Sequence, residues 1–318
     1  MITRAAHLER NPVSHNALSV SERGHIWRQI EELMADAHGR VTLVAPFIKR
    51  EVLASALSAL PATVDDIECI TRWVPEEVAA GVSDPEIIEL AEEDKRLRIA
   101  LCPTLHAKLY LTGERCLIGS ANLTGKATGR AANANIEILV EAPSAHPEIV
   151  RVLAEIEARA VEATPHMAAL VRSQAELLKE HRPTASDQPR EAQQGWYPVT
   201  RRPDALYPYY CGRAQFGRSV KAAIVRDLAL LGVPAGLSEA EFSDLIESRL
   251  REIPALQALV AGARLSNVEL QQALQEETGL TDEQARRTTE TIAAWLRHFG
   301  RFYTDVGTWE IRHGQELK

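Results

Sequence analysis

The stretch that decides the fold is CPTLHAKLYLTGERCLIGSANLTG, residues 102–125. Its first apolar run, LHAKLYL (105–111), alternates. In an extended chain His106, Lys108 and Tyr110 share one face, and Leu105, Ala107, Leu109 and Leu111 share the other. An imidazole and an ammonium then stand about 7 Å apart along the strand, and the apolar back fixes the register. The second run, RCLIGS, ends in Gly119-Ser120-Ala121-Asn122. That tight turn offers a hydroxyl, backbone N–H groups and a carboxamide to an oxyanion. Downstream, NANIEILV sets Glu137 inside an apolar strand, where a carboxylate is costly unless paired or hydrogen-bonded. A histidine suits it: Nδ1–H given to a carboxylate leaves Nε2 free as nucleophile or proton carrier. A lone His-x-Lys is most simply a satisfied histidine beside a solvated lysine. The turn and the carboxylate that follow shift the balance toward a site that binds an oxyanion.

Around this stretch, short apolar runs alternate with helical patterns. Residues 20–38 place Ile26, Ile30, Leu33 and Met34 on one helical face, and Gly39 stops the helix. RVTLVAPFI (40–48) reads as a buried strand, EVLASALSAL (51–60) as a helix closed by Pro61, and DIECITRW (66–73) as a strand. PEEVAAG and SDPEIIELAEED are helical, with Ser83 the expected N-cap before Pro85. RLRIALC (96–102) adds a strand, LHAKLYL, RCLIGS and IEILVE three more, and residues 147–163 a closing helix. Strands that alternate with helices and then cluster predict an α/β layer structure with a mixed sheet.

The 318 residues suit two domains. A hydrophobic fraction of 45% with 25% charged residues is that of a soluble globular chain. The net charge of −8 argues mildly against a nucleic-acid binder, which usually carries a basic excess. The cysteines, Cys69, Cys102, Cys116 and Cys211, have no CxxC spacing, so neither a zinc site nor a redox pair is signalled, and a reducing cytoplasm fits. The N-terminal residues have no apolar targeting core, and no run of 18 apolar residues occurs, so neither export nor a membrane span is expected.

Three parts are expected: a catalytic domain over 1–165, a linker or extended connection over 166–210, and a helical domain over 211–318. Pro and polar residues dominate 182–208, with Trp196, Tyr197 and the PYY run (208–210) as candidate anchors. Helices are predicted at 213–231, 239–251, 268–279 and 282–300. Ser238 with Glu241 and Thr281 with Gln284 have capping-box spacing. RFYTDVGTWEIRH (301–313) reads as a hairpin turning at Asp305–Gly307. Helix, turn, helix, hairpin is the order of a winged helix. Arg286, Arg287, Arg297, Arg301 and Arg312 could serve DNA there, yet the helix opens with Asp-Glu-Gln; DNA binding and protein contact both stay open.

HAKLYLTGERCLIGSANLTG followed by NANIEILV resembles the HxK…GSxxN…E motif of the phospholipase D superfamily. The resemblance extends over roughly residues 20–160 and implies that family's layered mixed β-sheet flanked by helices. It implies that His106 attacks phosphorus to form a phosphohistidine, that Lys108 and Asn122 hold the non-bridging oxygens, that Ser120 supports the pocket and that Glu137 orients a histidine. It implies no cofactor and no metal, since cationic and amide groups supply the charge stabilisation. Two departures stand out. The Asp that often closes the family's HxKx4D is Gly113 here, followed by Glu114, so that role is vacant or filled from one residue away. The family's site uses two HxK motifs and this chain has one, so a homodimer sharing the site across a two-fold axis is expected.

Lys126, Arg130 and Arg72 are candidate substrate-binding residues, the first two equally readable as a solvated loop; Trp73 is readable as stacking platform or packing. The expected function is a metal-independent nuclease acting on DNA or RNA, with restriction or antiviral defence as an analogy. A phospholipid headgroup hydrolase and a non-catalytic scaffold are the alternatives. A C-terminal half that blocks the site until an effector moves it is a further expectation.

Overall fold

Strand and helix alternate as the sequence pattern predicts in the computed structural model, which describes residues 24–180 and 196–300 together with the backbone strands at 302–304 and 310–313. The first part runs α1 (His25–Ala35), β1 (Gly39–Val44), α2 (Arg50–Ser58), β2 (Val64–Thr71), α3 (Pro75–Ala79), α4 (Ile87–Glu93), β3 (Leu97–Leu101), β4 (Leu109–Thr112), β5 (Arg115–Gly119), β6 (Leu139–Pro143), α5 (Pro147–Glu157), β7 (Val161–Glu162) and α6 (Pro165–Glu180). These strands form one mixed sheet of order β6-β5-β4-β1-β2-β3-β7. β1, β2 and β3 are parallel, while β4, β5 and β6 follow as antiparallel neighbours on one side.

Each face of the sheet has its own core. On one, Leu43, Ile67, Ile99, Tyr110 and Leu117 pack against α1, α2, α4 and α6 through Ile30, Leu33, Leu53, Ile87 and Val171. On the other, Val44, Ile70, Leu105, Leu109, Leu111 and Cys116 pack against Ile149 and Ile156 of α5. The fold is therefore α/β, a mixed sheet layered between helices, as expected. The alternation read from LHAKLYL also holds. Leu105, Leu109 and Leu111 lie in the second core with Ala107 packed against it, and Tyr110 lies in the first.

Several local expectations are corrected. LHAKLYL is hydrogen-bonded as a strand only from Leu109, because pairing with β1 ends at Val44–Leu109. IEILVE likewise joins the sheet at Leu139, the partner of Gly119 at the end of β5. Ser83 does not cap α4. It is buried with its hydroxyl directed at the Arg72 carbonyl (3.4 Å), and α4 starts after Glu86. The helix expected at 147–163 ends at Glu157, since Val161–Glu162 pairs with β3. Residues 166–180, expected to open a connection, belong to α6, whose Ala168, Val171 and Ala175 complete the first core.

The second part holds α7 (Leu206–Tyr210), α8 (Arg218–Leu230), α9 (Glu239–Arg251), α10 (Gln257–Val260), β8 (Leu265–Ser266), α11 (Asn267–Thr278), α12 (Asp282–Phe299), β9 (Phe302–Thr304) and β10 (Glu310–His313). The capping boxes at Ser238/Glu241 and Thr281/Gln284 are formed, and Ser266/Glu269 adds a third. The three short strands pair in the order β8-β10-β9 beside α11 and α12. The expected turn at 305–307 and most of the linker, 181–195, lie outside the described residues. Trp196 stacks edge-on against Trp295, whose indole donates to the Thr200 carbonyl at 2.7 Å. Buried Asp227 accepts from the Val199 and Thr200 backbone N–H groups, and burial raises its carboxyl above the usual range.

The two parts are locked together by a strap, Gly232–Leu237, between α8 and α9. The Ala235 N–H donates to the Trp73 carbonyl at 2.9 Å, and Ala235 is buried in the first core. Gly236, at φ +95°, lies so close to β3 and β7 that a Cβ there would meet Val161 at 3.0 Å and Leu101 at 3.1 Å. Tyr210 holds the strap from its own side, donating to the Pro234 carbonyl (2.7 Å) and accepting from the Leu237 N–H (2.8 Å). No helix among the described residues is long and apolar enough to cross a membrane, and the four cysteines are free.

Candidate active site

The topology gathers the chemistry-bearing residues at one end of the sheet, across the ends of its strands. β1 and β2 end there at Val44 and Thr71, β5 ends at Gly119, and the antiparallel β4 and β6 begin there at Leu109 and Leu139. His106 and Lys108 precede β4, Ser120 and Asn122 follow β5, and Glu137 precedes β6. Arg72 follows β2 and Phe47 lies just beyond β1. The crevice beyond the carboxyl ends of parallel strands is the usual ligand position in open α/β sheets.

His106 is exposed, and its imidazole has no hydrogen bond among the described residues. The ammonium of partly buried Lys108 folds back on the His106 carbonyl at 2.8 Å. Burial, then the nearby Arg72 guanidinium, lowers the Lys108 ammonium below the usual lysine range, against an upward pull from Glu137. One Glu137 oxygen accepts from the Ser120 hydroxyl, the other from the Asn135 carboxamide at 3.1 Å. Glu137 thus stands at the mouth of the sheet, not within a strand, and its partners here are Ser120 and Asn135 instead of the histidine expected from sequence. Ser120 also takes the Ile138 N–H at 3.1 Å, and its own N–H donates to the Ile138 carbonyl at 3.0 Å.

Gly119 makes this crossing feasible. A Cβ at residue 119 would fall 1.9 Å from the Ile138 carbonyl oxygen, so only glycine admits the two chains at this separation. Gly119→Ala is expected to cost about 1–3 kcal/mol, read as a lowered midpoint in urea unfolding. A midpoint equal to wild type would contradict the close approach. Beyond it, Asn122 is oriented by its backbone surroundings. Its Oδ1 accepts from the Phe47 N–H at 3.4 Å, which leaves the Nδ2 amide group as the donor for an anionic oxygen. Tyr110, fully buried beneath, donates to the Ala121 carbonyl at 2.8 Å and braces the same turn.

The three candidate substrate-binding residues have different surroundings. Lys126 is exposed and has no ion pair among the described residues. Arg130 lies over the Trp27 ring at 4.3 Å, tying its loop to α1. Arg72 gives its N–H groups to Glu77 and to the Leu105 carbonyl. Trp73 is fully buried, so it packs and does not stack on a ligand. Gly113 takes φ +55° at the first position of the two-residue turn between β4 and β5, a position that favours glycine. That turn is at the opposite end of β4 from His106, roughly 20 Å along the chain by strand rise, so Glu114 does not reach the site.

A small cavity of about 140 Å³ lies beside His106, lined by Cys102, Leu105, Ile156 and Arg159 among others. A larger one, about 360 Å³, opens toward the other end of the sheet between His38, Arg40, Glu68, Thr112 and Glu157. The larger cavity contains none of the residues gathered around His106. No group of three or more His, Cys, Asp or Glu side chains suited to a metal ion occurs among the described residues.

No family model matches this chain, and no curated protein does. Among solved structures it is similar to NucT from Helicobacter pylori at 12% identity and TM-score 0.35, covering 45% of this chain and 94% of that one. It is similar to phosphatidylserine synthase of Haemophilus influenzae Rd KW20 at 13% identity and TM-score 0.33, covering 52% of this chain and 44% of that one. TrmBL2, an archaeal chromatin protein, is similar at 14% identity and TM-score 0.27, covering 42% of this chain and 48% of that one. This chain spans about half the length of the last two. At these scores the functional reading rests on the site's own residues.

Proposed function

We propose that this chain is a phosphodiesterase of phospholipase D type and that its substrate is nucleic acid. The observation that carries the reading is the convergence of His106, Lys108, Ser120, Asn122 and Glu137 from three separate segments at one end of the sheet. In this reading Nε2 of His106 attacks phosphorus, the phosphorus–oxygen bond to the leaving group breaks, and a phosphohistidine forms. Water then attacks the phosphohistidine, the phosphorus–nitrogen bond breaks to restore the imidazole, and the proton of the water passes to the group that protonated the leaving oxygen. Lys108 and Nδ2 of Asn122 stabilise the charge on the non-bridging oxygens in both steps. Glu137, through Ser120, holds the turn that carries Asn122. Exposed Lys126 supplies positive charge at the rim.

The leaving oxygen needs a proton donor, and the proposed one is His106 of a second copy. Two features support a homodimer with a shared site. The chain has one His-x-Lys. The sheet edge beside Glu137 is open: β6 is terminal, and Val140 on it (51% exposed) stands in solvent with Ile136 (103%) and Ile138 (60%) of the segment that leads into it. Exposed apolar side chains on an unpaired edge are a surface that a partner covers. The topology β8-α11-α12-β9-β10 supports a winged-helix reading for the C-terminal end. Arg286 and Arg287 on α12 are paired with Glu283 and Glu290 on the same helix, which favours a protein partner there over a DNA groove.

The test is cleavage of single- and double-stranded DNA and of RNA in excess EDTA, beside headgroup release from phosphatidylcholine vesicles. Nucleic-acid cleavage that EDTA leaves unchanged, with no headgroup release, is the expected result. Headgroup release without nucleic-acid cleavage would replace the substrate class, and no turnover of either would favour a scaffold.

A further inference from the structure

Arg72 is cationic and stands at the candidate site, yet its guanidinium is already occupied. Nε donates to Glu77 at 3.1 Å, Nη2 donates to the other Glu77 oxygen, and Nη1 donates to the Leu105 carbonyl at 2.9 Å. Its flat face lies 5.3 Å from the Phe47 ring centroid. Both side chains of the Arg72–Glu77 pair are about four-fifths buried. A bidentate, partly desolvated pair of this kind is geometrically rigid. What it grips is the backbone immediately before His106, in a segment with no ladder partner of its own. The Phe47 N–H beside it orients Asn122.

The pair's footing is fixed from behind. Residue 73 accepts the strap's Ala235 N–H, and Glu76 abuts the strap at Gly232, where a Cβ would come within 2.5 Å of Oε1. Arg72 and Glu77 therefore bracket a short segment clamped by the C-terminal half.

We propose that Arg72 and Glu77 are positioning residues: the pair fixes the Leu105 carbonyl and thereby aims the imidazole of His106, and Arg72 does not itself hold phosphate. The proposal rests on the reading of His106 as the nucleophile. Small displacements of a reacting group lower turnover steeply, by about 10²-fold for 1 Å, while leaving substrate affinity nearly unchanged.

Glu77→Gln in the full chain separates the two roles of Arg72, because Glu77 touches no substrate in either. If the pair positions, Glu77→Gln lowers kcat about tenfold and leaves KM within about twofold. If Arg72 were a phosphate ligand restrained by Glu77, releasing it would lower KM or leave kcat intact, and either outcome overturns the proposal. Arg72→Lys keeps the charge but cannot make the three bonds, so it follows the same pattern; a raised KM with kcat unchanged overturns it. Hydrogen exchange over residues 103–109 gives a readout that needs no turnover. Faster exchange there in Glu77→Gln, with a global unfolding midpoint close to wild type, is expected, and unchanged exchange sinks the proposal. Absence of turnover in wild type with the exchange effect present would count against the phosphodiesterase reading and leave the positioning role standing.

Discussion

His106→Ala is expected to lower phosphodiester cleavage by at least about 10⁴-fold while leaving stability within about 0.5 kcal/mol of wild type. The separation follows from where the side chain sits. The imidazole is exposed and makes no hydrogen bond among the described residues, so the fold loses little with it. Under the proposed mechanism the reaction loses its nucleophile outright. Lys108→Met is the graded companion. Under the same mechanism it removes a charge that stabilises a developing oxyanion, and the expected loss is smaller, about 10²–10³-fold. The rates are read from initial cleavage of a labelled oligonucleotide, and the stabilities from urea midpoints. Equal activity of His106→Ala and wild type would remove His106 from the chemistry.

Trp73→Ala carries the largest expected loss of stability, about 3–5 kcal/mol. The indole is fully buried in the first core and is among its largest side chains. Its backbone carbonyl also receives the strap from the C-terminal half, so a cavity here loosens the seam between the two parts as well as the core. Trp73→Phe fills most of the volume and removes the indole N–H, which has no partner in the interior; it is expected to cost about 1.5 kcal/mol or less. If Trp73 were a stacking platform, Trp73→Ala would keep the wild-type midpoint and lose substrate affinity, and the comparison of midpoint with KM decides between the two.

The sheet and the grouping of its faces were legible because each depends on short-range periodicity. Leu105, Leu109 and Leu111 fall on one face by alternation alone, and the capping boxes at Ser238 and Thr281 announce their helices within four residues. The close crossing at Gly119 also had a local signal, a glycine ending an apolar strand. What was not legible depends on long-range pairing. The guanidinium of Arg72 is shared between a carboxylate 5 residues away and a carbonyl 33 residues away, and no spacing rule connects them. Arg130 finds Trp27 across 103 positions. A carboxylate inside an apolar strand calls for a strong partner such as a histidine; at the sheet's mouth, where Glu137 stands, a serine and an asparagine suffice. The strap has no local signature, because it docks through backbone groups, one buried alanine and two glycines.

A covalent bond between His106 and phosphorus is tested most directly by an acid-free quench of the protein with a labelled oligonucleotide in EDTA, followed by peptide mass spectrometry under alkaline conditions. A nucleotidyl or phosphoryl adduct on the peptide containing His106, absent in His106→Ala, is the predicted result. Turnover in wild type with no adduct on that peptide, or an adduct on another residue that survives in His106→Ala, would contradict it.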